Sequence, residues 1–170
     1  IPHLFYYNAF LMLSNGMEAK VGTLGSKYEF FHEWKRLAEE DQGNVALETM
    51  LRGICKKENF LDLFENFILY DHSNGHTAKI LARNHQYLGV NEAMKAYAAR
   101  KLNDGKLGVF WHTQGSGKSY SMVLFAQKVR RKFAGSPTFV ILTDREELNT
   151  QISDTFENCG LLGKTKATQF

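Results

Sequence analysis

Apolar residues fall in short periodic clusters divided by polar breaks, and the period changes partway along the chain. Phe10 to Leu13 is apolar; Ser14-Asn15-Gly16 follows, and Ala19 and Val21 then alternate with Lys20. Asn-Gly between two such runs predicts a β-hairpin, because both residues tolerate the positive φ of a tight turn. Tyr28, Phe31, Trp34 and Leu37 recur at helical spacing and predict a short amphipathic helix over 27–38. A polar break runs from Glu39 to Gly43. Leu47, Met50, Leu51 and Ile54 form a second helical face. Phe60, Leu63, Phe64, Phe67 and Ile68 form a third, on a helix from about 58 to 70, and all three stripes read as core.

Asp71 to Thr77 is polar and turn-prone and marks a boundary. His72 and His76 stand four apart but flank Ser73-Asn74-Gly75, where no helix is expected. With no third ligand nearby they read as solvated loop residues. Past the boundary a helix over 84–101 carries Tyr87, Val90, Met94 and Tyr97 on one side, and Gly105 breaks it. Leu107 to Trp111 has strand length, a helix over 119–133 follows, Thr138 to Leu142 is a second strand, and another helix starts near Arg145. Strand–helix–strand–helix is the order of a parallel sheet with crossover helices, so the expected class is α/β.

Composition narrows the class further. At 170 residues, 44% hydrophobic and 23% charged, the chain has globular averages and is not disordered. No apolar run approaches the ~18 residues a membrane span needs. Cys55 and Cys159 lie far apart and outside any CxxC, against a disulfide scaffold or zinc ribbon, so a cytoplasmic location is expected. The chain begins at Ile1 and ends after the polar stretch Lys164 to Gln169, so it is expected to be part of a longer protein. Net charge is +3, but residues 1–72 carry −4 and residues 73–170 carry +7. A basic C-terminal half fits a polyanionic partner, nucleotide or nucleic acid. A basic helix face at Lys128, Arg130, Arg131 and Lys132 explains it equally well.

The run Thr113-Gln114-Gly115-Ser116-Gly117-Lys118-Ser119, between the first strand and its helix, nearly matches GxxxxGK[ST]. Triphosphate oxygens need several donors converging on one point. Glycines clear side chains away, so backbone N–H groups from Gly115 to Ser119 can line a concave nest. The helix behind points its positive end at the same place. Lys118 adds a full charge toward the β- and γ-phosphates, and the Ser119 hydroxyl is the Mg²⁺ ligand. The first glycine of the pattern is replaced by His112. Upstream, Arg83 and Gln86 open a helix, and a glutamine amide can donate to and accept from an adenine edge together. Downstream, Thr143, Asp144 and Arg145 follow the second strand, with Gln151 beyond. Asp144 with Glu147 resembles a capping box, while Thr143 and Arg145 sit at the sheet edge where ligands gather and suit DNA-backbone contact.

These residues together resemble the motor (restriction) subunit of type I restriction enzymes. The resemblance runs through Leu4-Phe5-Tyr6-Tyr7-Asn8, Ser14-Asn15-Gly16 with Gly22-Thr23, and Trp34-Lys35. It continues through His85-Gln86-Tyr87, the run Trp111 to Ser119, and Leu142-Thr143-Asp144-Arg145. It implies a parent that is an ATP-dependent translocase of double-stranded DNA, of helicase superfamily 2, fused to an endonuclease and working with methyltransferase and specificity subunits. Residues 1–38 would be the α+β tail of the nuclease domain, 39–76 a helical linker, and 77–170 the start of a RecA-like P-loop motor domain with parallel strands. Arg83 and Gln86 match the adenine motif, Thr113 to Ser119 the ATP phosphate loop, and Thr143, Asp144, Arg145 and Gln151 a DNA-contacting motif.

No catalytic residue is expected within 1–170. Glu18-Ala19-Lys20 and Glu33-Trp34-Lys35 spell the second half of a nuclease motif, but no Asp precedes either. No Asp-Glu pair follows an apolar strand after Ser119, and no arginine finger is assignable, so the groups that drive phosphoryl transfer are incomplete. Rival readings are a superfamily 2 helicase without a nuclease, a small nucleotide kinase or GTP switch, and a subunit-docking module built on residues 1–76.

Overall fold

The computed structural model describes residues 2–73 and 75–161, and the polar stretch from Lys164 lies outside them. The chain divides into two compact units: residues up to 69 with 78–89, and residues 70–77 with those from 90 onward.

The first unit opens on the expected hairpin. Strand β1 (Leu11–Ser14) pairs antiparallel with β2 (Ala19–Gly22), Leu11 opposite Gly22 and Ser14 opposite Ala19. The turn is built locally: Asn15 Oδ1 accepts from Met17 N at 3.0 Å and Glu18 N at 2.7 Å, and Gly16 takes φ 93°. The helix expected over 27–38 is absent. Only a 3₁₀ turn, Tyr28–Phe30, forms, and the chain then runs extended. Tertiary partners decide this. His32 exchanges backbone bonds with Val21, at 2.8 and 2.9 Å, and Asn84 Oδ1 accepts from Lys35 N and Arg36 N. Trp34 is buried beneath this strand-like stretch, 5.3 Å from the Tyr87 ring.

Helix α1 (Leu47–Ile54) and helix α2 (Lys57–Asn66) follow. Gly53 lets them close on Trp34: a Cβ there would lie 2.2 Å from Trp34 Nε1. Met50, Ile54, Leu63 and Phe67 are fully buried, each contributing roughly 1.5–3 kcal/mol. Phe60 and Phe64, expected on the same face, stay exposed. Helix α2 ends at Asn66, earlier than expected, because Ile68 enters strand β3 (Ile68–Asp71), which neighbours β4 (Ala78–Leu81). Burial pushes the His32 imidazole down to about 4, helped by the Arg83 guanidinium.

In the second unit the outer half of helix α3 (Asn84–Ala98) packs with helix α4 (Lys118–Lys132) and helix α5 (Glu146–Asn158). Val90, Val123, Leu124, Val129 and Phe156 make its core. Tyr97 lies between Phe125 and Phe133, at 6.1 and 4.8 Å. Lys128 is not on a solvated basic face; it is buried, with Nζ 2.6 Å from Asn91 Oδ1. Helix α5 closes with Gly160 at φ 71°, Gly160 N donating to Glu157 O and Leu161 N to Phe156 O. His72 N takes up the remaining Asn158 carbonyl.

The two expected parallel strands form no ladder. Among the described residues the paired strands are β1 with β2 and β3 with β4. Residues 107–111 and 138–142 are unladdered, with Val109, Trp111, Val140 and Leu142 facing solvent. A strand exists only by virtue of a hydrogen-bonded neighbour, and these two apolar runs have none among the described residues. No described helix is long and apolar enough to cross a membrane.

Candidate functional site

The strongest constellation lies where the backbone turns into α4. Gly115 takes φ 75° and Gly117 φ 82°, ψ 37°, both left-handed, a conformation nearly reserved for glycine. Ser116 N donates to Thr113 O at 3.3 Å, tightening the turn. Gly117 is the N-cap of α4 and supplies no side chain, so no side-chain cap covers the first-turn N–H groups of Lys118 and Ser119. The space a Cβ would fill at Gly115 is open to 4 Å.

Lys118 curls back over the loop, its Nζ donating to His112 O at 2.8 Å and Thr113 O at 2.9 Å. The ammonium is therefore at the loop. Thr113, Gln114, Gly115 and Lys118 are exposed, while Ser116, Gly117 and Ser119 are half-buried. Backbone donors, a helix N-terminus and one cation beside the open space at Gly115 suit a polyphosphate. For Mg²⁺ the loop offers hydroxyls and no carboxylate, with Ser119 the one in the first turn of α4, which suits an ion that keeps several waters and takes its other ligands from phosphate.

The other expected residues are placed differently. Gln86 belongs to the first unit, is buried, and accepts from Arg83 N through Oε1 at 2.9 Å. It thus caps α3 from the third helical position, which gives it a structural role regardless of any base. Arg83 is exposed beside it. Thr143, Asp144 and Arg145 precede α5. Arg145, not Asp144, is the N-cap, and no side chain caps it, so the expected capping box does not form. Asp144 instead pairs with Arg145 at 3.7 Å, both largely exposed, and Thr143 Oγ1 reaches Arg145 O at 3.5 Å. Gln151 is exposed on α5, its carbonyl accepting from Thr155 Oγ1. His72 and His76 are exposed, and no described group of three or more acidic, His or Cys side chains is arranged to hold a metal.

Sequence reasoning missed Asn84, Asp71 and Tyr120. Asn84 binds the Lys35–Arg36 backbone, and Asp71 binds Tyr120. Both are pairings across nearly fifty residues with no local signal.

A family model described as SWI2/SNF2 ATPase matches residues 85–170, just over half of the chain and inclusive of the loop. The type I restriction enzyme HindI endonuclease subunit of Haemophilus influenzae is 37% identical over 167 residues, covering 93% of this chain and 16% of that protein. A provisionally named type I restriction enzyme MjaIXP endonuclease subunit of Methanocaldococcus jannaschii is 31% identical over 183 residues, covering 93% of this chain and 17% of that protein. The chain spans about a sixth of the length of these curated relatives.

Proposed function

This chain belongs to the SWI2/SNF2 ATPase family, and on that premise we propose that it carries the ATP phosphate site of a type I restriction subunit. The parent protein would hydrolyse ATP to translocate duplex DNA and would cleave it, in a complex with methyltransferase and specificity subunits. Residues 1–38 would end the nuclease domain, 39–76 would link, and 77–170 would open a RecA-like motor domain whose sheet takes in 107–111 and 138–142.

One observation carries the reading: two left-handed glycines, then a helix starting without a side-chain cap at a lysine whose ammonium already sits at the loop. The amides of Gly115 to Ser119 would bind the β- and γ-phosphate oxygens, Lys118 would neutralise their charge, and Ser119 would hold Mg²⁺. Bound Mg²⁺ supplies further charge neutralisation across those oxygens. Arg83 and Gln86 would face the base, and Thr143, Asp144, Arg145 and Gln151 the DNA backbone. The chain by itself would turn over negligible ATP.

Titration of a fluorescent ATP analogue with Mg²⁺ tests this. Saturable binding is expected, and Lys118→Ala should weaken it by about 2 kcal/mol, roughly thirtyfold. Equal signals from wild type and Lys118→Ala would overturn the phosphate-loop reading. Several ATP turnovers per minute with duplex DNA would overturn the prediction of inactivity.

A further inference from the structure

The segment 70–77 makes a contact that the phosphate-loop reading does not use. Asp71, at the end of β3, is buried. Its Oδ1 accepts from Ser73 N at 2.8 Å, and its Oδ2 accepts from the Tyr120 hydroxyl at 2.5 Å. Tyr120 is the third residue of α4, next to Ser119. One residue on from Asp71, His72 N binds the last carbonyl of α5. The segment is therefore tied at one point to the start of α4 and at the next to the end of α5.

Burying a carboxylate is costly unless its oxygens are engaged, and here both are. Burial by itself would raise the Asp71 carboxyl, but the bonds from Tyr120 and Ser73 outweigh it and hold it below the usual range. Burial and the Asp71 charge push the Tyr120 phenol upward, so it stays a donor. Burial and the same charge push the Cys159 thiol up to about 11.

We propose that Asp71 and Tyr120 are a positioning pair that fixes the rotation of the first turn of α4, and with it the aim of Lys118 and Ser119 at a bound polyphosphate. Successive helical residues are set about 100° apart around the axis, so pinning Tyr120 pins its two predecessors. A tyrosine in a helix leans toward the N-terminus, where the loop amides are. Without the pin, the turn can rotate or fray, and donors aimed at one point disperse. The proposal rests on the loop being a nucleotide-phosphate site.

The test measures affinity for a fluorescent ADP with Mg²⁺ on the full-length protein, alongside its melting temperature without nucleotide. Tyr120→Phe and Asp71→Ala should each weaken binding roughly tenfold, the loss expected for one charge-assisted hydrogen bond. Asp71→Asn keeps an oxygen that accepts from the phenol and should recover most of that affinity. Adding Tyr120→Phe to Asp71→Ala should cost nothing more. Unchanged affinity in Tyr120→Phe, with or without a lower melting temperature, would reduce the pair to scaffolding and overturn the proposal, as would Asp71→Asn binding no better than Asp71→Ala. If Lys118→Ala binds as wild type does, it is the loop reading that has failed; if Lys118→Ala loses binding and Tyr120→Phe does not, only the pin has.

Discussion

The two tryptophans have opposite settings. Trp34 is 1% exposed, wedged against Gly53 and Tyr87; Trp111 is 86% exposed on a run with no strand partner among the described residues. The first unit owes its order to side chains that close on one another and on stray backbone, as Asn84 does. At its glycine loop the second unit presents bare backbone: a glycine that leaves the space open and a helix end that no side chain caps. The Trp34 contact is organised around packing and the glycine loop around donors, so a substitution should move stability at the first and ligand affinity at the second.

The largest effect tests the packed side. Gly53→Val forces a branched side chain into the Trp34 indole and should cost about 4 kcal/mol, read from denaturant unfolding. A loss below 1 kcal/mol would mean that Trp34 moves aside freely. Next comes His32. Its folded pKa of about 4 lies below the ordinary 6.5, so the unfolded chain binds the proton first. Stability that is full above pH 6.5 should therefore fall as pH drops toward 4, by on the order of 3 kcal/mol, and then stop falling. The difference between wild-type and His32→Gln unfolding curves isolates this slope, and parallel curves would refute it.

On the donor side, Lys118→Ala should lose about 2 kcal/mol of nucleotide affinity while leaving the unfolding midpoint in place. Loss of both together would erase the contrast between the units. The smallest effect belongs to the exposed Glu48–Arg52 pair at 3.4 Å: Glu48→Ala should change stability by at most about 0.5 kcal/mol.

Features with local causes were legible in the residues. Asn15-Gly16 builds its turn within four positions, and α1, α3, α4 and α5 start within about a residue of where they are expected. The glycine turn and the helix that starts at Lys118 were legible because the residues that build them are consecutive. The stretch 27–38 misled because an apolar residue every third position fits a helix, while Val21 and Asn84 draw it into an extended form from elsewhere in the chain. Gly53 gave no hint of a Trp34 contact, since a helical glycine looks the same whether or not something rests on it. Runs 107–111 and 138–142 have strand composition, but composition does not provide a ladder.

The two carbonyls that hold the Lys118 ammonium also imply selectivity. On the proposed reading, capture is an exchange: the cation must release both oxygens before it can serve a ligand. A chloride or acetate brings too few acceptors to drive that swap, whereas a chain of phosphates brings several at once. On that reading the loop would be set to ignore the abundant small anions of its solvent.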